Sequence, residues 1–176
     1  MITFAGLYAM LAHWLCMDSG ASGGSAIERS LSKLEQRYDP FPVNQTTVSL
    51  SREQFEQVAD RCETAHVDAY AKVANDERDI LHVEGEEGTE LPGESVELTD
   101  RVEAQIHETV REMTGIDCEI EGVESVTIAG LRDETESDPE TRYRLVVVFE
   151  ARYQSGTVTA DACWKPAPRT PTALSA

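Results

Sequence analysis

The sequence predicts an α/β (α+β) domain, and three observations carry that reading. Two helical patterns come first, a period of two takes over near residue 66, and one amphipathic segment at 100–113 interrupts a series of strands. A chain of 176 residues suffices for one domain with a sizeable core and short appendages.

The opening stretch, Met1–Cys16, is uncharged and mostly apolar. It lacks the positive flank of a signal peptide and is shorter than the ~20 residues of a spanning helix. Three readings stay open for it: a docked helix, a weak membrane anchor, or sequence upstream of a true start. Met17 heads a Gly- and Ser-rich run, which favours the last and makes 1–24 an N-terminal appendage.

Residues 25–64 are read as two helices and a linker. Ser25-Ala26-Ile27-Glu28 has the form of a capping box, and Ile27, Leu31, Leu34 and Tyr38 recur at helical spacing. Asp39-Pro40 and Pro42 end that helix. Ser51-Arg52-Glu53-Gln54 is a second capping box, with Leu50 and Phe55 placed as a hydrophobic staple and Phe55, Val58 and Cys62 on one face.

From His66, Val67, Ala69, Ala71 and Val73 alternate as a strand, Asn75-Asp76-Glu77 turns, and Ile80–Val83 returns. An acidic loop at 85–88 leads to Leu91-Pro92-Gly93. A helix over Asp100–Met113 follows, capped by Thr99 and closed by Gly115. Val123–Ile128 and Tyr143–Ala151 read as strands. The second is apolar on both faces over Leu145–Phe149, which predicts a central strand covered twice. Arg132–Arg142 is an acidic solvated loop, Thr157–Trp164 a last strand, and the proline-bearing tail at 165–176 is not helical.

Charge narrows the partners. The net charge is -18, from 33 acids against 15 Lys and Arg. Such a surface repels nucleic acid backbones and anionic membranes, so neither is expected as a partner. Acids spread through the chain with few lysines resemble proteins of halophilic archaea, whose molar salt screens the repulsion. Cysteines 16, 62, 118 and 163 form no CxxC pair, so neither zinc nor a disulfide framework is predicted. Cys62 and Cys118 read as buried reduced thiols, which places the protein in the cytoplasm. No nucleophile elbow, phosphate loop or dinucleotide fingerprint occurs.

The run Leu91-Pro92-Gly93-Glu94 through Arg101 to Gly115-Ile116 resembles the box of the Nudix hydrolase superfamily, in degenerate form. That pattern is Gly, five residues, Glu, seven residues, then Arg-Glu-apolar-any-Glu-Glu-any-Gly-apolar, and its spacing survives without a gap. The resemblance covers 66–164 and implies a mixed sheet sandwiched between helices, here a Nudix-like domain at 65–164. The helix that usually ends the family fold has no counterpart in the tail, so the helix at 51–62 is expected to cover the second sheet face.

Glu94 stands where the second glycine of the box belongs, Asp100 at its first glutamate, and Glu112 at a retained one. Glu108 replaces the arginine, Thr109 the adjoining glutamate and Met113 the last. Helical geometry puts Val102, Ile106, Val110 and Met113 in one apolar stripe, flanked by Glu108 and Glu112 on the side of Arg101 and Gln105. The resemblance therefore implies Glu112 and Glu108 as catalytic residues and ligands for Mg2+ or Mn2+, and Gly93 and Glu94 as substrate-binding. Glu94, Glu97 and Glu150 are the candidate replacement acids. Magnesium wants hard oxygen donors, which neither Met113 nor a neutral Thr109 hydroxyl supplies as an anion. Two expectations follow: a divergent, weak or inactive metal-dependent pyrophosphohydrolase of nucleoside diphosphate-linked substrates, or a non-catalytic Nudix-like domain, without cofactor, binding a nucleotide-type molecule or a protein. His66, His82 and His107 read as surface or strand-edge histidines, and Trp164 and Tyr143 as core or rim.

Overall fold

The computed structural model describes residues 23–62, 66–85 and 88–167. Within them the chain builds an eight-stranded mixed sheet with helices on both faces. The two segments from residue 25 to 62 are helical as expected: α1 spans Gly23–Arg37 and α2 spans Arg52–Cys62. Between them lies a strand that the sequence reading left as linker, β1 over Val43–Leu50. Its pattern VNQTTVSL is mostly polar because much of it stays exposed, so no apolar alternation announces it.

β2 (His66–Ala74) follows the predicted alternation, with Val67, Ala69, Ala71 and Val73 all buried. Asn75 turns the chain, its side-chain oxygen accepting from the backbone N–H of Glu77 and Asp79. β3 (Asp79–Gly85) then departs from β2 after one shared pair and pairs instead with β4 (Gly88–Glu90) and β8 (Ala162–Pro166). β5 (Gly93–Glu97) takes the vacated place beside β2. After α3 (Val102–Thr114) come β6 (Ile116–Asp133) and β7 (Arg142–Gly156), a long antiparallel pair. β6 begins well before the predicted Val123 because three register shifts, between Asp117/Cys118, Ile120/Gly122 and Val123/Ser125, break its alternation. β8 starts later than Thr157, since 157–161 form the turn that seats Gly115.

The sheet runs β1-β6-β7-β2-β3-β4. β7 is central, antiparallel to β6 and parallel to β2, and Leu145–Phe149 is buried throughout. One face carries α1 and α3: Leu34, Val102, Ile106 and Val110 pack with Val67, Val147 and Phe149, and Tyr38 meets the Phe149 ring edge-on at 5.8 Å. The other face carries α2, whose Phe55 and Val58 pack on Leu50, Ala129 and Leu131. The helix at 51–62 thus covers the second face, as expected. Its capping box forms with Gln54: the Ser51 hydroxyl accepts from the Gln54 N–H, and the Gln54 side-chain oxygen accepts from the Ser51 N–H. The Ser25 and Cys62 side chains, and the N-terminal and tail segments, lie outside the described residues.

A buried guanidinium lies within this second face. Arg144, only 6% exposed, holds the Asp68 carboxylate with two guanidinium nitrogens and donates to the Ser95 hydroxyl at 3.3 Å. It thereby ties β7, β2 and β5 together. Asp68→Ala takes a carboxylate away from this buried guanidinium and is expected to cost about 3 kcal/mol in urea unfolding.

Candidate functional site

The segment that resembles the box is a strand, a turn and a helix. Leu91-Pro92-Gly93 opens it not as a free loop but directly into β5, antiparallel to β2. Val96 is fully buried opposite Val67, and this pairing draws the segment into the sheet. Gly93 is needed for that approach. A Cβ there would sit 2.2 Å from the Ala69 carbonyl oxygen and 2.8 Å from the Tyr70 Cα. Its role here is backbone packing.

The turn at 98–101 is held from outside by α1. Lys33 Nζ donates to the Leu98 carbonyl at 3.4 Å, and Arg37 donates to the Thr99 and Asp100 carbonyls at 3.1 Å each. Tyr38 adds a 2.7 Å bond from its hydroxyl to Glu103 Oε1. Burial first, and then this carboxylate, push the Tyr38 phenol upward, so it remains a neutral donor. Thr99 still serves the helix start, its hydroxyl accepting from the Arg101 N–H at 3.2 Å. The helix itself begins at Val102, two residues later than expected. Gly115 closes it in the left-handed conformation at φ 77°, with its N–H on the Arg111 carbonyl.

α3 buries Val102, Ile106, Thr109, Val110 and Thr114. Met113 is not part of that set. At 36% exposure it lies open to solvent, while Val110 and Thr114 are fully buried. The buried position near it belongs to Thr114, whose hydroxyl turns back to the Val110 carbonyl at 2.6 Å.

Thr109 is the central side chain of the segment. It is 6% exposed, and its hydroxyl lies 2.5 Å from Glu94 Oε1 and 2.9 Å from the Gln105 carbonyl. One hydroxyl proton is shared between two acceptors, so Glu94 is tied to the helix by Thr109. Glu108 and Glu112 are exposed, on the same side of the helix as exposed Arg101 and Gln105. Glu97 alternates to the face opposite Val96, and Glu150 to the face opposite Phe149, so both lie on the side of the sheet away from α3. Neither replaces a box acid.

The structure thus brings Gly93, Glu94 and Thr109 together and leaves Glu108 and Glu112 on the solvent side. Among the described residues no three His, Cys, Asp or Glu side chains are grouped to hold a metal ion. A centre for Mg2+ or Mn2+ built from several converging carboxylates does not fit these residues. Sequence reasoning missed the Thr109–Glu94 bond because its parts are fifteen positions apart on different elements. Only the strand character of 93–97 could have signalled it, through Val96 alternating with polar neighbours.

The remaining reactive side chains are quiet. Cys118 is buried, and burial pushes its thiol up to about 11, so it is protonated and inert at neutral pH. His82 Nδ1 lies 2.9 Å from the Ile80 carbonyl, and His107 Nε2 lies 3.5 Å from Asp117. Trp164 packs at the core margin, edge-on to Tyr153 at 5.8 Å. The His66 side chain lies outside the described set. No described helix is long and apolar enough to cross a membrane.

No protein-family model matches the chain, and no curated protein matches it. Solved structures do. An ADP-ribose pyrophosphatase from Streptococcus suis is 17% identical with a TM-score of 0.40, over 58% of this chain and 74% of its own. A UDP-X diphosphatase is 20% identical with a TM-score of 0.43, over 63% of this chain. This chain spans 58% of that diphosphatase's length. The NUDIX domain of Shewanella oneidensis NrtR, solved with ADP ribose, is 17% identical with a TM-score of 0.34, over 66% of this chain and 84% of that one. At such identities and scores the likeness carries neither an activity nor a ligand across, and the site must be read from its own side chains.

Two substitutions test this geometry. Thr109→Val keeps the shape and removes the bond to a solvated carboxylate, so a loss of about 1 kcal/mol in urea unfolding is expected. Gly93→Ala forces β5 off β2 and is expected to cost about 1–3 kcal/mol.

Proposed function

We propose that this chain is a non-catalytic Nudix-like domain, in which the box has become a packing element and the protein acts by binding. The supporting observation is the Thr109 hydroxyl, on the buried face of α3 and bonded to Glu94 at 2.5 Å where the box calls for an anionic ligand. A neutral hydroxyl that already holds a carboxylate cannot also supply the charge that gathers a divalent cation. Glu108 in place of an arginine removes a cation that would orient a neighbouring acid, and Met113 contributes a thioether. Each missing electrostatic contributor is worth on the order of 10² to 10³ in rate. Together these losses leave no ordinary pyrophosphohydrolase.

The ligand class under this reading is a nucleotide-type small molecule or a protein. The charge of -18 argues against nucleic acid and anionic membrane surfaces, and a cytoplasmic, salt-rich setting suits the composition.

The experiment compares the natural chain with a fourfold variant carrying Glu94→Gly, Glu108→Arg, Thr109→Glu and Met113→Glu. In molar KCl, the natural chain is expected to show no turnover of a panel of nucleoside diphosphate derivatives and no change in Tm with Mg2+ or Mn2+. The variant, with acids at 109 and 113 and no Glu94 carboxylate to repel the new one at 109, is expected to gain metal-dependent stabilisation. Turnover by the natural chain that disappears in Glu112→Gln would instead establish the hydrolase.

A further inference from the structure

β1 lies at one end of the sheet order, and among the described residues it pairs with β6 alone. The pairing is parallel, so alternate residues bond to β6 and the others turn their N–H and C=O groups outward. The ends of the strand set the phase. The Pro42 carbonyl accepts from the Val126 N–H and the Leu50 carbonyl from the Glu134 N–H, which places the even residues inward. Val43, Gln45, Thr47 and Ser49 therefore present their backbone groups along the outer edge.

The edge is unusual in its chemistry. Natural sheets protect long open edges with charges, prolines or bulges. β1 has eight residues, VNQTTVSL, with no charge, no proline and an unbroken register to β6. This holds in a chain that is 27% charged and has a net charge of -18. Two copies approaching by most other surfaces would bring carboxylates together. Along β1 they would not.

We propose that β1 is the interface for a second copy of this chain, the two strands joining antiparallel about a two-fold axis through Thr46. In an antiparallel pair the outward residues must face one another, and this axis uses all four of them. Val43 lies opposite Ser49 of the second copy and Gln45 opposite Thr47, each pair exchanging two backbone hydrogen bonds. Between them Asn44 faces Val48, and Thr46 faces its own copy. Thr–Thr and polar pairs of this kind stabilise adjoining strands. The two sheets become one, and the exposed side chain of Val43 gains a neighbour.

Sedimentation velocity on the full chain in molar KCl, where charge repulsion is screened, is expected to show a dimer. Thr47→Pro removes an outward N–H without touching the bonds to β6, as edge prolines do. It is expected to weaken association by roughly a hundredfold, two hydrogen bonds being lost per dimer, while the Tm of the monomer stays the same. Thr46→Pro removes an inward N–H and is expected to lower the Tm. The register has its own test in two exposed positions. Gln45→Lys with Thr47→Lys sets like charges opposite one another and, at a salt low enough to leave them unscreened, is expected to weaken the dimer although it makes each chain less negative. Gln45→Glu with Thr47→Lys is expected to retain it. A natural chain that stays monomeric overturns the proposal, as does a dimer indifferent to Thr47→Pro and to the lysine pair. Amides of Val43, Gln45, Thr47 and Ser49 protected from exchange in a monomer would also overturn it, by showing the edge covered by another part of the same chain.

Discussion

The constraint on which the architecture rests is the burial of β7 on both faces. Five successive apolar residues, Leu145–Phe149, leave water on neither side, and that requires a layer of structure above and below. α1 and α3 form one layer through Leu34, Ile106 and Val110, and α2 begins the other through Phe55 and Val58. The buried guanidinium of Arg144 sits in the same strand and is accommodated because Asp68 and Ser95 meet it there. A strand so placed also fixes its neighbours, since β6 and β2 must flank it to satisfy its backbone.

The segment at 91–116, which resembles the box, owes its shape to contacts made mostly by its backbone. Its outline is held by the Gly93 contact with β2, by the αL turn at Gly115, and by three α1 side chains gripping the turn and the first helical residues. None of these contacts involves a box acid. Shape and charge are separable here, so Thr109 can take up a packing role without loss of the helix. Glu94, in the place of a glycine, finds in that threonine a partner that steadies it.

Where hydrophobic period and local motifs agree, the elements are legible in the sequence. Val67 to Val73, the Ser51 capping box and Leu145–Phe149 each carry a signal strong enough to survive tertiary context. β1 is illegible because it is exposed and polar, and its pairing partner lies far along the chain. The start of β6 is hidden by its bulges, and β5 by its shortness, since Val96 is the sole buried side chain in its five residues. Of the site, helical geometry locates Glu108 and Glu112 on the open side. It errs on Met113, which is 36% exposed although its angular position falls among the buried residues, and Thr114 is buried in its stead.

The parallel union of β1 with β6 has a consequence for how the polypeptide reaches this state. β1 emerges early in synthesis, but its ladder cannot form until residues 126–133 have followed, beyond α3 and four intervening strands. Contacts so distant in sequence close late and slowly, because a long loop must lose its freedom before any bond compensates. The ribosome therefore holds a nascent chain whose first strand waits unpaired, and the uncharged run that suits it for association in the mature molecule is then at its most vulnerable to mispairing.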